Sequence, residues 1–93
     1  MKHKPSLVRP HPCDPLGTQK IYRFPNGYGA SIVRFYGSYQ YAQGLWELAI
    51  IRFHGPDVDS FSLTYDTPIT GDVIGYLSDD DVEGYLDEIS RLT

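Results

Sequence analysis

Residues 19–35 read QKIYRFPNGYGASIVRF, and this stretch decides the fold. Gln19 to Phe24 reads as a strand. Pro25, Asn26 and Gly27 follow, and Asn-Gly is a strong hairpin signal because both residues tolerate positive φ. Tyr28 to Phe35 is then the return strand. Along it Ala30 and Ile32 share one face, and Ser31, Val33 and Phe35 share the other. Both faces carry apolar side chains, which predicts a sheet covered on one side and partly covered on the other.

Working outward toward the C-terminus, Leu45 to Phe53 predicts a central strand. Leu45, Glu47, Ala49, Ile51 and Phe53 point one way, and Trp46, Leu48, Ile50 and Arg52 the other. A turn signature at residues 54–57 (HGPD) leads to a fourth strand over Phe61 to Asp66. The period then changes. Gly71 to Leu77 predicts a short helix or helical turn capped by Thr70. Ser78 is a fitting N-cap for a second helix, whose first turn holds Asp79, Asp80 and Asp81 against the positive end of the helix dipole. Val82, Tyr85, Leu86, Ile89 and Leu92 form one apolar stripe, which leaves Asp80, Glu83, Asp87 and Arg91 toward water.

Toward the N-terminus, residues 1–17 carry Pro5, Pro10, Pro12 and Pro15. Proline removes a backbone donor, so this stretch reads as an extended proline-rich arm, neither helix nor central strand. Strands followed by helices argue for α+β. The architecture expected is a four-stranded antiparallel β-meander over residues 18–93, with one or two C-terminal helices packed on one face.

The chain has 93 residues, enough for one domain. Its single cysteine, Cys13, rules out a disulfide within one copy and fits a reducing compartment. No apolar run approaches the roughly 18 residues a membrane span needs, and no apolar signal region opens the chain. These features predict a cytoplasmic protein without membrane association. Charge is strongly polarised. Residues 1–35 set six Lys and Arg against Asp14, a net +5, and residues 36–65 net −2. Residues 66–93 set Arg91 against eight carboxylates, a net −7. Such polarity steers association with a charged partner, and it also lets the two ends neutralise each other within the fold.

Catalytic and metal chemistry find little support. His3 and His11 sit on the arm, where nothing holds a geometry, and His54 sits at a turn; a nucleophile–base pair needs rigid placement. His3, His11 and Cys13 lack the repeated close pairs of structural zinc sites. The triple aspartate lacks the alternating ligands of a calcium loop. Gly27 and Gly29 lie between strands, where a dinucleotide fingerprint would need a helix. The expectation is no enzyme, no metal and no cofactor.

Two features fit a binding protein. Residues 36–44 read YGSYQYAQG, long for a hairpin connection and mixed like a binding loop: rigid tyrosine anchors among adaptable polar groups. Tyr36, Tyr39 and Tyr41 are its candidate contacts, although an extension of the flanking strands would give the same pattern. Asp79, Asp80, Asp81, Glu83 and Asp87 are the second set, with Glu88 beside them. They form a row of carboxylates resembling backbone phosphates, suited to a nucleic-acid-binding groove on another protein. An ordinary solvated helix face has the same pattern. Lys2, Lys4, Arg9, Lys20, Arg23 and Arg34 offer the converse, a basic patch for nucleic acid, but overall acidity opposes it and no direct nucleic-acid contact is expected.

Residues 22–34 (YRFPNGYGASIVR), 44–49 (GLWELA) and 63–70 (LTYDTPIT) together resemble small uncharacterised proteins encoded by bacteriophages and prophages. The resemblance covers residues 20–93. It implies a viral protein of the kind that inhibits host machinery, anti-CRISPR proteins among them, working in the bacterial cytoplasm as monomer or homodimer. Its partner would be a host protein complex such as a CRISPR effector or nuclease. It brings no catalytic motif and assigns no residue a role. Self-assembly through a strand edge and the arm, and a small nucleic-acid-binding domain, remain the alternatives.

Overall fold

A computed structural model describes residues 3–12, 14–34, 45–58, 60–65, 67–69, 71 and 73–92, with the backbone alone for residues 14–16. Among the described residues, six strands and one helix follow in order: β1 (Leu7–His11), β2 (Asp14–Arg23), β3 (Tyr28–Arg34), β4 (Trp46–Phe53), β5 (Phe61–Leu63), β6 (Ile74–Leu77) and α1 (Asp79–Ser90). The fold is α+β: one antiparallel sheet with a C-terminal helix. Strands β1 to β5 lie side by side in chain order, and β6 also pairs with β4.

The hairpin joining β2 to β3 forms where residues 19–35 place it. Its register sets Lys20 opposite Ile32 and Tyr22 opposite Ala30. Gly27 alone takes positive φ, at 86°, while Asn26 does not, so the loop is the three-residue kind that ends on a left-handed glycine. Gly29 meets a separate demand. A Cβ there would lie 2.0 Å from the Tyr22 carbonyl oxygen and 2.7 Å from the Phe53 ring, so only glycine fits between them.

Three expectations are corrected: the number of strands, the end of the fourth, and the helix over residues 71–77. The sheet has six strands among the described residues, not four. Residues 1–17 supply β1 and the start of β2, because Leu7, Arg9 and His11 turn inward while Val8 and Pro10 face out; an outermost strand tolerates proline. The fourth strand ends at Leu63, and residues 74–77 form β6, not a helix. The cause is β4's outer edge. β5 covers only Ile51 to Phe53, leaving backbone groups near Trp46 and Leu48 that need partners. β6 supplies them, pairing Leu77 with Trp46 and Ile74 with Leu48 across an irregularity. Tyr76 absorbs that irregularity with a left-handed φ of 59°.

Helix α1 begins as its sequence dictates. Ser78 Oγ accepts from the Asp81 N–H, and an Asp81 carboxylate oxygen accepts from the Ser78 N–H, each at 3.1 Å, a reciprocal cap. Val82, Leu86 and Ile89 are buried against Tyr22, Phe24, Ala30, Ile32, Trp46, Leu48 and Ile50. Each such side chain contributes on the order of 2 kcal/mol. The helix therefore covers the Trp46–Leu48–Ile50 side of β4. On the other side Ile21, Ile51 and Phe53 form a smaller cluster, flanked by Leu7 and Phe61.

The helix C-terminus is held by the hairpin tip. Asn26 Nδ2 donates to the carbonyls of Ile89 at 2.9 Å and Leu92 at 3.0 Å, and its Oδ1 accepts from the Tyr28 N–H. One side chain satisfies the turn, a terminal carbonyl of the helix and a second carbonyl just past its end.

Candidate interaction surface

The capping box fixes the first turn of α1 and sets Asp79, Asp80 and Asp81 on the surface, all exposed. Asp79 Oδ1 accepts from the indole N–H of Trp46 at 2.9 Å, which joins the helix start to the central strand. The Trp46 ring carries two cations: Lys20 Nζ lies 4.6 Å and the Arg34 guanidinium 4.1 Å from its centroid. Basic and acidic groups thus meet at this end of the helix.

Glu83 and Asp87 sit one turn apart and are partly buried, where the sequence expectation had them facing water. Residues of the N-terminal arm cover them. The His3 backbone N–H donates to Glu83 Oε1 at 2.9 Å, and His3 Nε2 lies 2.7 Å from Asp87 Oδ1. The imidazole meets the Phe24 ring edge-on at 5.3 Å. The second Glu83 oxygen, Oε2, is buried and has no hydrogen-bond partner among the described residues. Beneath them lies Tyr22, almost wholly buried. Burial pushes its phenol above the ordinary 10.0, and the charges of Glu83 and Asp79 raise it further.

The five candidate carboxylates are thus one helix's residues but two groups. Asp79, Asp80 and Asp81 are exposed at the helix start, while Glu83 and Asp87 take the arm. Asp80, Gly84, Glu88 and Arg91 line the exposed face, and no basic residue stands in the last helical turn. Glu88, expected in the row of helix carboxylates, lies on this face. Tyr36, Tyr39 and Tyr41 lie outside the described residues. His3 is the contact that motif reading missed, because its Glu83 bond is made by the backbone N–H and carries no side-chain pattern.

His54 is exposed at the β4–β5 turn, with Nε2 2.5 Å from the Ser62 hydroxyl. The described residues enclose no pocket and bring together no group of three His, Cys, Asp or Glu able to hold a metal. Among them, no helix is long and apolar enough to cross a membrane. No family model, no curated protein and no solved structure matches the chain.

Proposed function

We propose that this protein is a non-catalytic inhibitor of phage type, acting in the bacterial cytoplasm by binding a host defence or nucleic-acid-processing complex. The contact runs through the outer carboxylates of α1, which compete with nucleic acid for a basic channel. One observation carries the reading. The helix is fastened at both ends, by the Ser78–Asp81 cap and by Asn26, and holds Asp80, Asp81 and Glu88 exposed on a rigid mount. Fixed charges on a rigid element lose little ordering entropy on binding. Tyr36, Tyr39 and Tyr41 supply a second, aromatic contact in this reading.

The direct nucleic-acid alternative is weaker, because Lys20 and Arg34 lie over Trp46 beside Asp79, which offsets their charge. Self-assembly draws support from Val8, 55% exposed on β1, and from Leu63, Tyr65 and Tyr76, each about half exposed. Size-exclusion chromatography over a range of concentrations separates it: a rising oligomer mass favours assembly, a constant one the heterologous partner.

The test of the lead reading is capture from bacterial host lysate at moderate salt, followed by a wash with double-stranded DNA. A nucleic-acid-handling complex retained by the protein and released by the DNA is expected. Retention that DNA does not disturb would refute competition for a basic channel.

A further inference from the structure

Strand register sets Tyr28, Arg52 and Ser62 in one row across β3, β4 and β5. Residues directly opposite on an antiparallel ladder share a face, with Cβ atoms about 5 Å apart. Ser62 is exposed, and β5 closes the strand order on this side of the sheet. Arg52 is exposed as well. Its guanidinium lies 5.4 Å from the centroid of the Tyr28 ring and, among the described residues, pairs with no carboxylate. His54 completes the cluster, with Nε2 2.5 Å from the Ser62 hydroxyl. The backbone holds it there: the His54 N–H donates to the Ser60 carbonyl at 2.9 Å, and the Ser60 N–H to the Asp57 carbonyl at 3.1 Å.

One neutral hydroxyl thus stands beside a guanidinium and an imidazole. A phosphoryl group on that oxygen would bring up to two negative charges and three strong acceptor oxygens. The arginine fork matches two such oxygens, and an imidazole N–H can take another. We infer that Ser62 is a phosphorylation site, with Arg52 and His54 as the receptor of its phosphoryl group. The donor is a nucleoside triphosphate held by a serine kinase of the cell. The bond from Oγ to the γ-phosphorus forms, and the bond from that phosphorus to the β–γ bridging oxygen breaks. The nucleoside diphosphate leaves, and the hydroxyl proton passes to the kinase's base. Because β5 is three residues long and pairs with β4 only from Ile51 to Phe53, it leaves the ladder at small cost to enter a kinase cleft. The phosphoryl group then fastens it to β4. Asp57, exposed in the same turn, is the opposing charge. The inference is independent of the acidic-face reading above.

Two measurements on the full chain test it. The first incubates the protein in bacterial lysate with ATP and locates added phosphate by mass spectrometry. Phosphate on Ser62, absent from Ser62→Ala, is expected. Phosphate on Ser60 or Thr64 alone, or none at all, overturns the inference. The second installs phosphoserine at position 62 during translation and follows it by phosphorus NMR against pH. A free phosphoserine loses its second proton near about pH 6. Cations beside it favour the dianion, so that step should fall to about pH 5. Arg52→Gln should return most of the way to the free value, and His54→Gln part of it. The modified chain should also melt about 4 °C above the unmodified one, and Arg52→Gln should remove that gain. All three side chains are exposed, and circular dichroism confirms that each variant keeps the fold. A second ionisation that is the same in the wild type and in Arg52→Gln overturns the inference.

Discussion

Tyr22 shows how one residue ties the sheet to the helix charges. Its folded pKa is raised by burial and by Glu83 and Asp79. In the unfolded chain the phenol ionises near 10.0, while in the folded chain it stays protonated to higher pH. Folding stability from this group is thus fully present below pH 10.0 and falls as pH rises from there through the folded value. Urea melts between pH 8 and 11 should show an alkaline loss in the wild type that is smaller in Tyr22→Phe. Equal losses would show that Tyr22 is not the group responsible. Gly29 is the second telling residue. Gly29→Ala drives a methyl into the Tyr22 carbonyl and the Phe53 ring, and should destabilise by about 3 kcal/mol, read as a lower denaturation midpoint. The sequence marks Gly27 as a turn residue and Gly29 only as one residue of the return strand. The close approach that demands Gly29 comes from the Tyr22 carbonyl across the hairpin and from Phe53, far along the chain.

The elements divide by the range of the forces that make them. The β2–β3 hairpin and the capped start of α1 are local, and both are legible: Pro25-Asn26-Gly27 marks the turn, and Ser78 with three aspartates marks the helix start. β6 is non-local. Its four residues carry no strand pattern of their own, and what makes them a strand is the stretch of β4 that β5 leaves unpaired. β1 is concealed for a similar reason, since prolines argue against a strand until an edge position makes them tolerable. The Asn26 bridge to the helix end is long-range too. Asn26→Ala should cost about 1–2 kcal/mol and speed amide exchange at the last turn of α1. Unchanged exchange would refute the bridge. Gly84, exposed at mid-helix with nothing within 4 Å of an added Cβ, should gain about 0.5–1 kcal/mol on change to Ala, measured as a raised Tm.

At the scale of the whole molecule, charge is the property most readable in advance and the one whose use was open. The ends of the chain are +5 and −7 over the stretches 1–35 and 66–93. The fold uses part of that opposition internally, through Lys20 and Arg34 gathered near Asp79 on Trp46, while hydrogen-bond contacts from His3 cover Glu83 and Asp87. What remains outward is the Asp80–Glu88 face. Composition cannot distinguish carboxylates that are consumed from those that are presented, because the answer depends on which arm residues reach the helix. Binding through the outward face should weaken steeply with salt, because exposed charges are screened within about 8–10 Å at physiological ionic strength.

The most direct measurement compares the wild type with an Asp80→Lys, Glu88→Lys double variant as baits in the same bacterial lysate, with the retained proteins quantified by mass spectrometry. Neither side chain is buried, so the variant should fold. The expected result is a stoichiometric nucleic-acid-handling complex on the wild type and its loss from the variant. The same complex retained at equal yield by both would contradict binding through the acidic face of α1.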